Sequence, residues 1–333
     1  MANGFFYICY MRIRKIGIYT SGGDSPGMNA AIRAAVRTAT RNNIEVTGIV
    51  RGYTGMIEGD FIPLESTSVA NILQKGGTIL KSSRCAQFLT KEGRTLAYAN
   101  LKKEGIDALV CIGGNGSYAG ALKINEEFGI PCIGIPGTID NDLYGTDYTI
   151  GFHTAVQNAV EAIDKIRDTA ASHDRTFFIE VMGRDSGILA MHIGLCVGAE
   201  AILIPELKQD LNYLYKTFEK RRNNKGFSIV VIAEGDDAGN ASEIAHQFKQ
   251  KFPNTEEKVT VLGHIQRGGS PVPQDRVLAT RLGNGAVLEL LKGTDNGALG
   301  VINNEVVLSS FEEAIVNHKK AVTAMWDLAS AVS

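Results

Sequence analysis

The chain has 333 residues, 44% of them hydrophobic and 21% charged, the make-up of an ordinary globular protein and more than one core usually holds. With 34 basic and 36 acidic residues the formal net charge is -2, so the global balance gives no reason to expect nucleic acid or a membrane surface as a partner. No stretch approaches the length needed to span a bilayer, and five scattered cysteines without a C-x-x-C pair argue for a reducing, cytoplasmic setting.

The opening Phe-Phe-Tyr-Ile-Cys-Tyr run is too short for a signal peptide and lacks its flanks, so residues 1–11 read as an extension ahead of the first strand. Lys15 to Tyr19 is that strand. Thr-Ser-Gly-Gly-Asp-Ser-Pro-Gly-Met-Asn follows, and then an alanine-rich helix. Strand, glycine-rich turn and helix together make a phosphate cradle, because free amides of the turn and helix start face an anion. The glycine spacing is neither that of a P-loop nor that of a dinucleotide fingerprint. Glu45 to Val50 is a second strand, Gly52 to Gly55 a turn, and residues 67–74 a short helix. Arg84 follows a glycine pair and a polar run, a setting suited to a phosphate ligand or a surface ion pair.

Residues 91–104 read as an amphipathic helix and Ala108 to Ile112 as a buried strand. Gly113-Gly114-Asn115-Gly116-Ser117 then opens a second phosphate-cradle helix that runs to about Phe128. Cys132 to Ile135 is the next strand, and it breaks at Pro136-Gly137 into Thr138-Ile139-Asp140-Asn141-Asp142. A strand that ends in two carboxylates two residues apart is suited to catalysis, and alternation aims both one way if the backbone stays extended.

The second half keeps the style. A long helix spans about 153–171 and a strand 177–181 ends in Val-Met-Gly-Arg184. A strand spans 201–205, a helix 210–224 with the basic run Lys220-Arg221-Arg222 in its last turn, and a strand 227–233 delivers Glu234. Val259 to Leu262 delivers Gly263-His264-Ile-Gln-Arg267-Gly-Gly-Ser-Pro. A helix follows over 274–292, and residues 321–333 form a helical tail. This alternation predicts an α/β protein of two doubly wound subdomains with mainly parallel sheets, the active site lying in the cleft between them at the carboxyl ends of strands.

Four stretches, Ser-Gly-Gly-Asp-Ser-Pro-Gly-Met-Asn, Pro-Gly-Thr-Ile-Asp-Asn-Asp, Val-Met-Gly-Arg and Leu-Gly-His-Ile-Gln-Arg-Gly-Gly-Ser-Pro, resemble the bacterial-type 6-phosphofructokinases in kind and order. The likeness runs from about Arg12 to at least Lys320. It implies transfer of the γ-phosphoryl of ATP to the 1-hydroxyl of fructose 6-phosphate with Mg²⁺, by a cytoplasmic homotetramer. It further implies a nucleotide-binding subdomain over residues 12–150 with part of the C-terminal region, and a sugar-phosphate subdomain over 151–320.

Carried over residue by residue, the resemblance makes Asp140 the base for the sugar hydroxyl, with Asp142 orienting the site or helping to hold metal. Thr138 and Arg184 attend the phosphoryl group in transit. Gly23, Arg84, Cys85, Gly114, Asn115, Gly116 and Ser117 surround ATP. Arg175, Lys258, His264 and Arg267 grip the sugar and its 6-phosphate, some across a subunit boundary, and Met182, Gly183 and Glu234 line its pocket. Gly116 and Gly137 leave open the space that pyrophosphate-using relatives fill with Asp and Lys, which favours ATP as donor.

Three departures qualify the match. Asn115 stands where the family has a metal-holding Asp, so weaker use of Mg²⁺ and slower turnover are expected. Lys258 replaces an arginine and loses its bidentate fork. Of the effector set, Arg33, Arg37, Arg167, Glu200 and Lys225 match, whereas Ser66, Asn71, Asn223 and Phe227 replace Arg, Asp, Lys and His, so a silent or altered allosteric response is expected. The alternatives are a catalytically weakened paralogue that binds nucleotide or sugar phosphate as a regulatory subunit, and a pyrophosphate-dependent enzyme.

Overall fold

The structure, a computed structural model, describes residues 13–207, 210–220, 226–317, 319 and 322–332. The extension over residues 1–11 lies outside that range, as do Arg221, Arg222, Asn223 and Lys225. In chain order the first half runs β1 (Lys15–Thr20), α1 (Met28–Arg41), β2 (Glu45–Ile49), α2 (Tyr53–Glu58), β3 (Phe61–Pro63), α3 (Lys91–Glu104), β4 (Ala108–Gly113), α4 (Asn115–Phe128) and β5 (Cys132–Pro136). The second half runs α5 (Phe152–Ser172), β6 (Thr176–Val181), α6 (Ile188–Val197), β7 (Ala201–Leu203), α7 (Asp210–Glu219), β8 (Ser228–Ala233), α8 (Ala241–Lys251) and β9 (Glu257–Val261). The chain ends with α9 (Pro273–Lys292), β10 (Asn296–Ile302), β11 (Glu305–Ser309), α10 (Phe311–Val316) and α11 (Val322–Val332).

These strands form two sheets, one of seven strands in the order β11-β10-β5-β4-β1-β2-β3 and one of four in the order β7-β8-β6-β9. Only the outermost pairs of the larger sheet, β10 with β11 and β2 with β3, run antiparallel. Buried on both faces, a parallel strand must be apolar at every position, and β4 is. Its Ala108, Val110 and Ile112 join a core shared with α1 and α9, while Leu109 and Cys111 join one shared with α3, α4 and α10. β6 divides the same way. Phe177, Ile179 and Val181 face a core shared with α5 and α6, and Phe178 faces one shared with α7 and α8.

Three local expectations change. Residues 67–74 form successive turns and not a helix: Asn71 is left-handed at φ 58°, and Val69 and Ile72 are buried in the core with Leu73 packed against it. Gly52 to Gly55 is the start of α2, closed by Met56 N–H on the Gly52 carbonyl at 3.1 Å. The hairpin β10–β11, absent from the sequence reading, extends the larger sheet with part of the C-terminal region.

Strand order positions the site. In the larger sheet the chain leaves β1 toward β2 on one side and returns on the other as β4, so a crevice opens beyond the carboxyl ends of β1 and β4. The smaller sheet has its own reversal between β6 and β9.

Candidate active site

The turns after β1 and β4 lie side by side because their strands pair, and Ser21 N–H donates to the Ile112 carbonyl at 3.0 Å just where both end. α4 has no side-chain cap, so the amides of its first residues, Asn115 and Gly116, have no intrahelical carbonyl to meet. Together the turns floor a cavity of about 870 Å³. Of the sequence-predicted residues, Gly23, Arg84, Cys85, Gly114, Asn115, Gly116, Ser117, Thr138, Asp140, Asp142, Arg184 and Arg267 all line it.

Asp140 and Asp142 both reach the cavity, but not by continued extension of β5. Asn141 between them is left-handed at φ 53°, and its buried side chain braces the loop, accepting from Thr149 N–H at 3.0 Å and donating to the Asp147 carbonyl at 3.3 Å. The Thr149 hydroxyl donates to the Thr138 carbonyl at 2.6 Å and closes the loop on itself. Asp140 is 5% exposed, with one oxygen buried and without a hydrogen-bond partner and the other 3.9 Å from Arg184 Nε. Burial, and then the charge of Asp142, push its pKa above the ordinary carboxylate value, while the guanidinium groups of Arg267 and Arg184 pull the other way.

The smaller sheet supplies the facing wall. Arg184 follows β6 with a left-handed backbone at φ 52°, its N–H held by Glu234 Oε1 at 2.9 Å. Arg267, 9% exposed, donates from Nη1 to the Asp24 carbonyl at 2.9 Å, and a Cβ on Gly23 would sit 2.7 Å from that nitrogen. A side chain at Gly23 would therefore have to displace the guanidinium that crosses to it. Met182, Gly183, Glu234 and His264 also lie at or just beyond the carboxyl ends of β6, β8 and β9, outside the cavity lining.

Arg175 and Lys258 do not join them. Both sit at the opposite, amino ends of β6 and β9, where Glu256 holds Arg175 at 2.7 Å and Lys258 at 3.2 Å. The effector set is also divided, with Arg33 and Arg37 on α1 and Arg167 and Glu200 in the smaller-sheet half. Arg167 lies over the Phe227 ring at 5.6 Å and donates to the Val197 carbonyl.

Gly116 and Gly137 differ in what they leave open. A Cβ on Gly116 would meet nothing within 4 Å, whereas one on Gly137 would point at Ile112 and Met28, each 3.0 Å away. Of the two, Gly116 is the position with open space where a side chain would go, although both line the cavity. The cavity also runs past the turns to an end walled by Tyr53, Phe88, Leu89, Ala119, Gly120 and Lys123, where the Tyr53 and Phe88 rings stack at 3.9 Å. These residues lie on three separate elements and share no motif, so that end leaves no signal in the sequence.

Among the described residues no cluster of three or more His, Cys, Asp or Glu side chains is placed to hold a metal alone. Asn115 Oδ1, buried and without a hydrogen-bond partner, is a neutral oxygen at the helix start. A neutral amide oxygen is a weaker partner for Mg²⁺, which besides waters and substrate phosphate oxygens usually takes one or two carboxylates; Asp142, on the same cavity, is the carboxylate that could supply one.

The sequence profile described as Phosphofructokinase matches residues 15–290. ATP-dependent 6-phosphofructokinase 2 of Bacteroides thetaiotaomicron is 51% identical over 308 residues, 92% of this chain and 94% of that protein. ATP-dependent 6-phosphofructokinase 1 of Thermus thermophilus is 52% identical over 322 residues, 96% of this chain and all (100%) of that one. Among solved structures, phosphofructokinase from Saccharomyces cerevisiae superposes with a TM-score of 0.85 at 33% identity, over 96% of this chain and 46% of the yeast chain.

Proposed function

Since the chain belongs to the phosphofructokinase family, we propose that it is an ATP-dependent 6-phosphofructokinase, transferring the terminal phosphoryl group of ATP to the 1-hydroxyl of fructose 6-phosphate in glycolysis. The observation that carries this reading is one cavity of about 870 Å³ that holds Asp140, Arg184 and two glycine-rich turns and is also lined by Tyr53 and Phe88.

Asp140 takes the proton of the sugar hydroxyl, and the burial that raises its pKa makes it a stronger base than a solvated carboxylate. Asp142 keeps negative charge beside it. Thr138, Arg84 and Arg184 meet the phosphoryl oxygens, and the amides of Gly23 and of the first turn of α4 hold the phosphate chain. Mg²⁺ bound with the nucleotide would offset charge on its phosphates, with Asn115 Oδ1 as the neutral oxygen facing it. We assign the seven-stranded half to the nucleotide and the four-stranded half to the sugar phosphate, which adds β10 and β11 to residues 12–150.

Met182, Gly183, Glu234, His264 and Arg267 receive the sugar on the four-stranded side. Arg175 and Lys258, at the far end of the same sheet, are assigned to the site of a neighbouring copy, which needs at least two copies and is in keeping with the homotetramer that the resemblance implies. Phe227 beneath Arg167 commits an arginine of the effector set within the chain, in keeping with a weak response to phosphoenolpyruvate. Cys85, Cys111, Cys132 and Cys196 are free thiols, in keeping with the cytoplasm.

A coupled assay with fructose 6-phosphate and Mg²⁺, run with ATP and separately with pyrophosphate, tests the reading. Turnover with ATP alone is expected. Turnover confined to pyrophosphate would replace the donor, and none with either would leave a binding subunit.

A further inference from the structure

A column of buried hydroxyls runs beneath the two glycine-rich turns. Tyr19, one residue from the end of β1, is wholly buried, and its oxygen lies 3.0 Å from that of Tyr53. The Tyr53 hydroxyl donates to the Ser117 carbonyl at 2.5 Å, which leaves Tyr19 to donate to Tyr53. The Ser117 carbonyl also faces Cys111 Sγ at 3.8 Å. Burial raises the pKa of both phenols and pushes the Cys111 thiol up to about 12, so all three stay protonated as donors. The column therefore ties the end of the strand that leads into one turn to the first turn of the helix that forms the other.

Above the column the turns touch closely. A Cβ on Gly113 would sit 2.3 Å from Ser117 Oγ and 2.5 Å from the Ser21 carbonyl, so no side chain spaces them apart. Their separation is set by the pairing of β1 with β4 and, beneath it, by the hydroxyl column.

We propose that the Tyr53 hydroxyl is a positioning group for the donor's phosphates, holding the start of α4 at the distance from the β1 turn that a phosphate chain requires. This rests on the kinase reading above and extends it. The Tyr53 ring, stacked on Phe88 at the nucleoside end, has a separate task. One side chain thus serves both ends of the donor through different atoms.

Tyr53→Phe keeps the ring and removes only the hydroxyl, and leaving one buried carbonyl short of a neutral hydrogen bond corresponds to about five- to tenfold in binding. Inorganic tripolyphosphate and adenosine, as competitors of ATP, probe the two ends. The expected result for Tyr53→Phe is a five- to tenfold rise, to that approximate size, in the KM for ATP and in the inhibition constant of tripolyphosphate. Inhibition by adenosine and the KM for fructose 6-phosphate should stay within about twofold. An unchanged tripolyphosphate constant overturns the proposal, as does adenosine weakened as much as tripolyphosphate. If Tyr53→Phe fails to fold, Tyr19→Phe unties the column at its other end and carries the same test with the same signs. Direct titration with tripolyphosphate decides the matter even for a protein that proves unable to turn over fructose 6-phosphate, so the two readings fail separately.

Discussion

Asn141 carries no chemistry, yet its left-handed backbone and inward side chain are what let both neighbours, Asp140 and Asp142, line one cavity. Two carboxylates so placed contest ionisation, and Asp142 is the second-largest cause of the raised Asp140 pKa after burial. A base with a raised pKa regains its proton sooner as pH falls. The acid limb of the kcat/KM profile should therefore lie above the ordinary carboxylate range. Asp142→Asn removes the repelling charge, lowers the Asp140 pKa and moves that limb to lower pH. A limb that stays put, measured across both proteins, would take Asp140 out of the role of base. Asn115 argues at the same scale. Its unpartnered oxygen is neutral, and Asn115→Asp should lower the Mg²⁺ concentration for half-maximal rate on the order of tenfold, the low end for changes around a bound metal. An unchanged Mg²⁺ titration would show that position 115 is not at the metal.

β6 and β9 present one set of residues at their carboxyl ends and another at their amino ends; the strand-and-turn pattern makes only the first legible, and the second is named by the family resemblance alone. Strand, turn and charge at Met182 to Arg184 and at His264 to Arg267 point to a site because such turns gather beyond strand ends. Arg175 and Lys258 lie where no cavity motif leads, and Glu256 pairs with both; on the reading proposed above, a sugar phosphate would compete with it. Lys258→Arg would add a second charge-assisted hydrogen bond to that phosphate. At about 1.5 kcal/mol this lowers the KM for fructose 6-phosphate roughly tenfold, and initial rates at saturating ATP measure it. Elsewhere alternation and glycine spacing made β1, β4, β5 and their turns readable, because buried parallel strands and phosphate turns leave dense local signals. Tyr53 and Phe88 stayed hidden because aromatic residues on short helical segments read as core, which they also are. The supposed helix over 67–74 shows the converse. Its apolar spacing is real, but Val69 and Ile72 meet the core from turns, and Asn71 breaks the helical run.

At the scale of the molecule, the two sheets turn the carboxyl ends of their strands toward one cavity, and Arg184 near Asp140 and Arg267 on the Asp24 carbonyl are where the halves meet. If Arg175 serves a neighbour, two defective chains should repair each other. Asp140→Asn lacks the base and Arg175→Ala lacks the phosphate grip, so each alone should be nearly inactive. Co-expressed, they should form assemblies in which an intact base faces an intact grip, and activity should return. Failure to recover activity in assemblies shown to contain both chains would confine Arg175 to its own subunit.

The Glu256 clamp at the amino edge of the smaller sheet has a consequence for how rate depends on amount. If Arg175 and Lys258 serve a neighbouring copy, a chain with its base beyond β5 of the larger sheet and its phosphate grip at the amino edge of the smaller one would hold half of two reaction centres and the whole of none. Dilution would then lower the activity of each chain, while the phosphate of a bound sugar, gripped from both sides, would oppose the separation. Substrate would then be part of the mortar, and its abundance would set how much of the protein is built into working form.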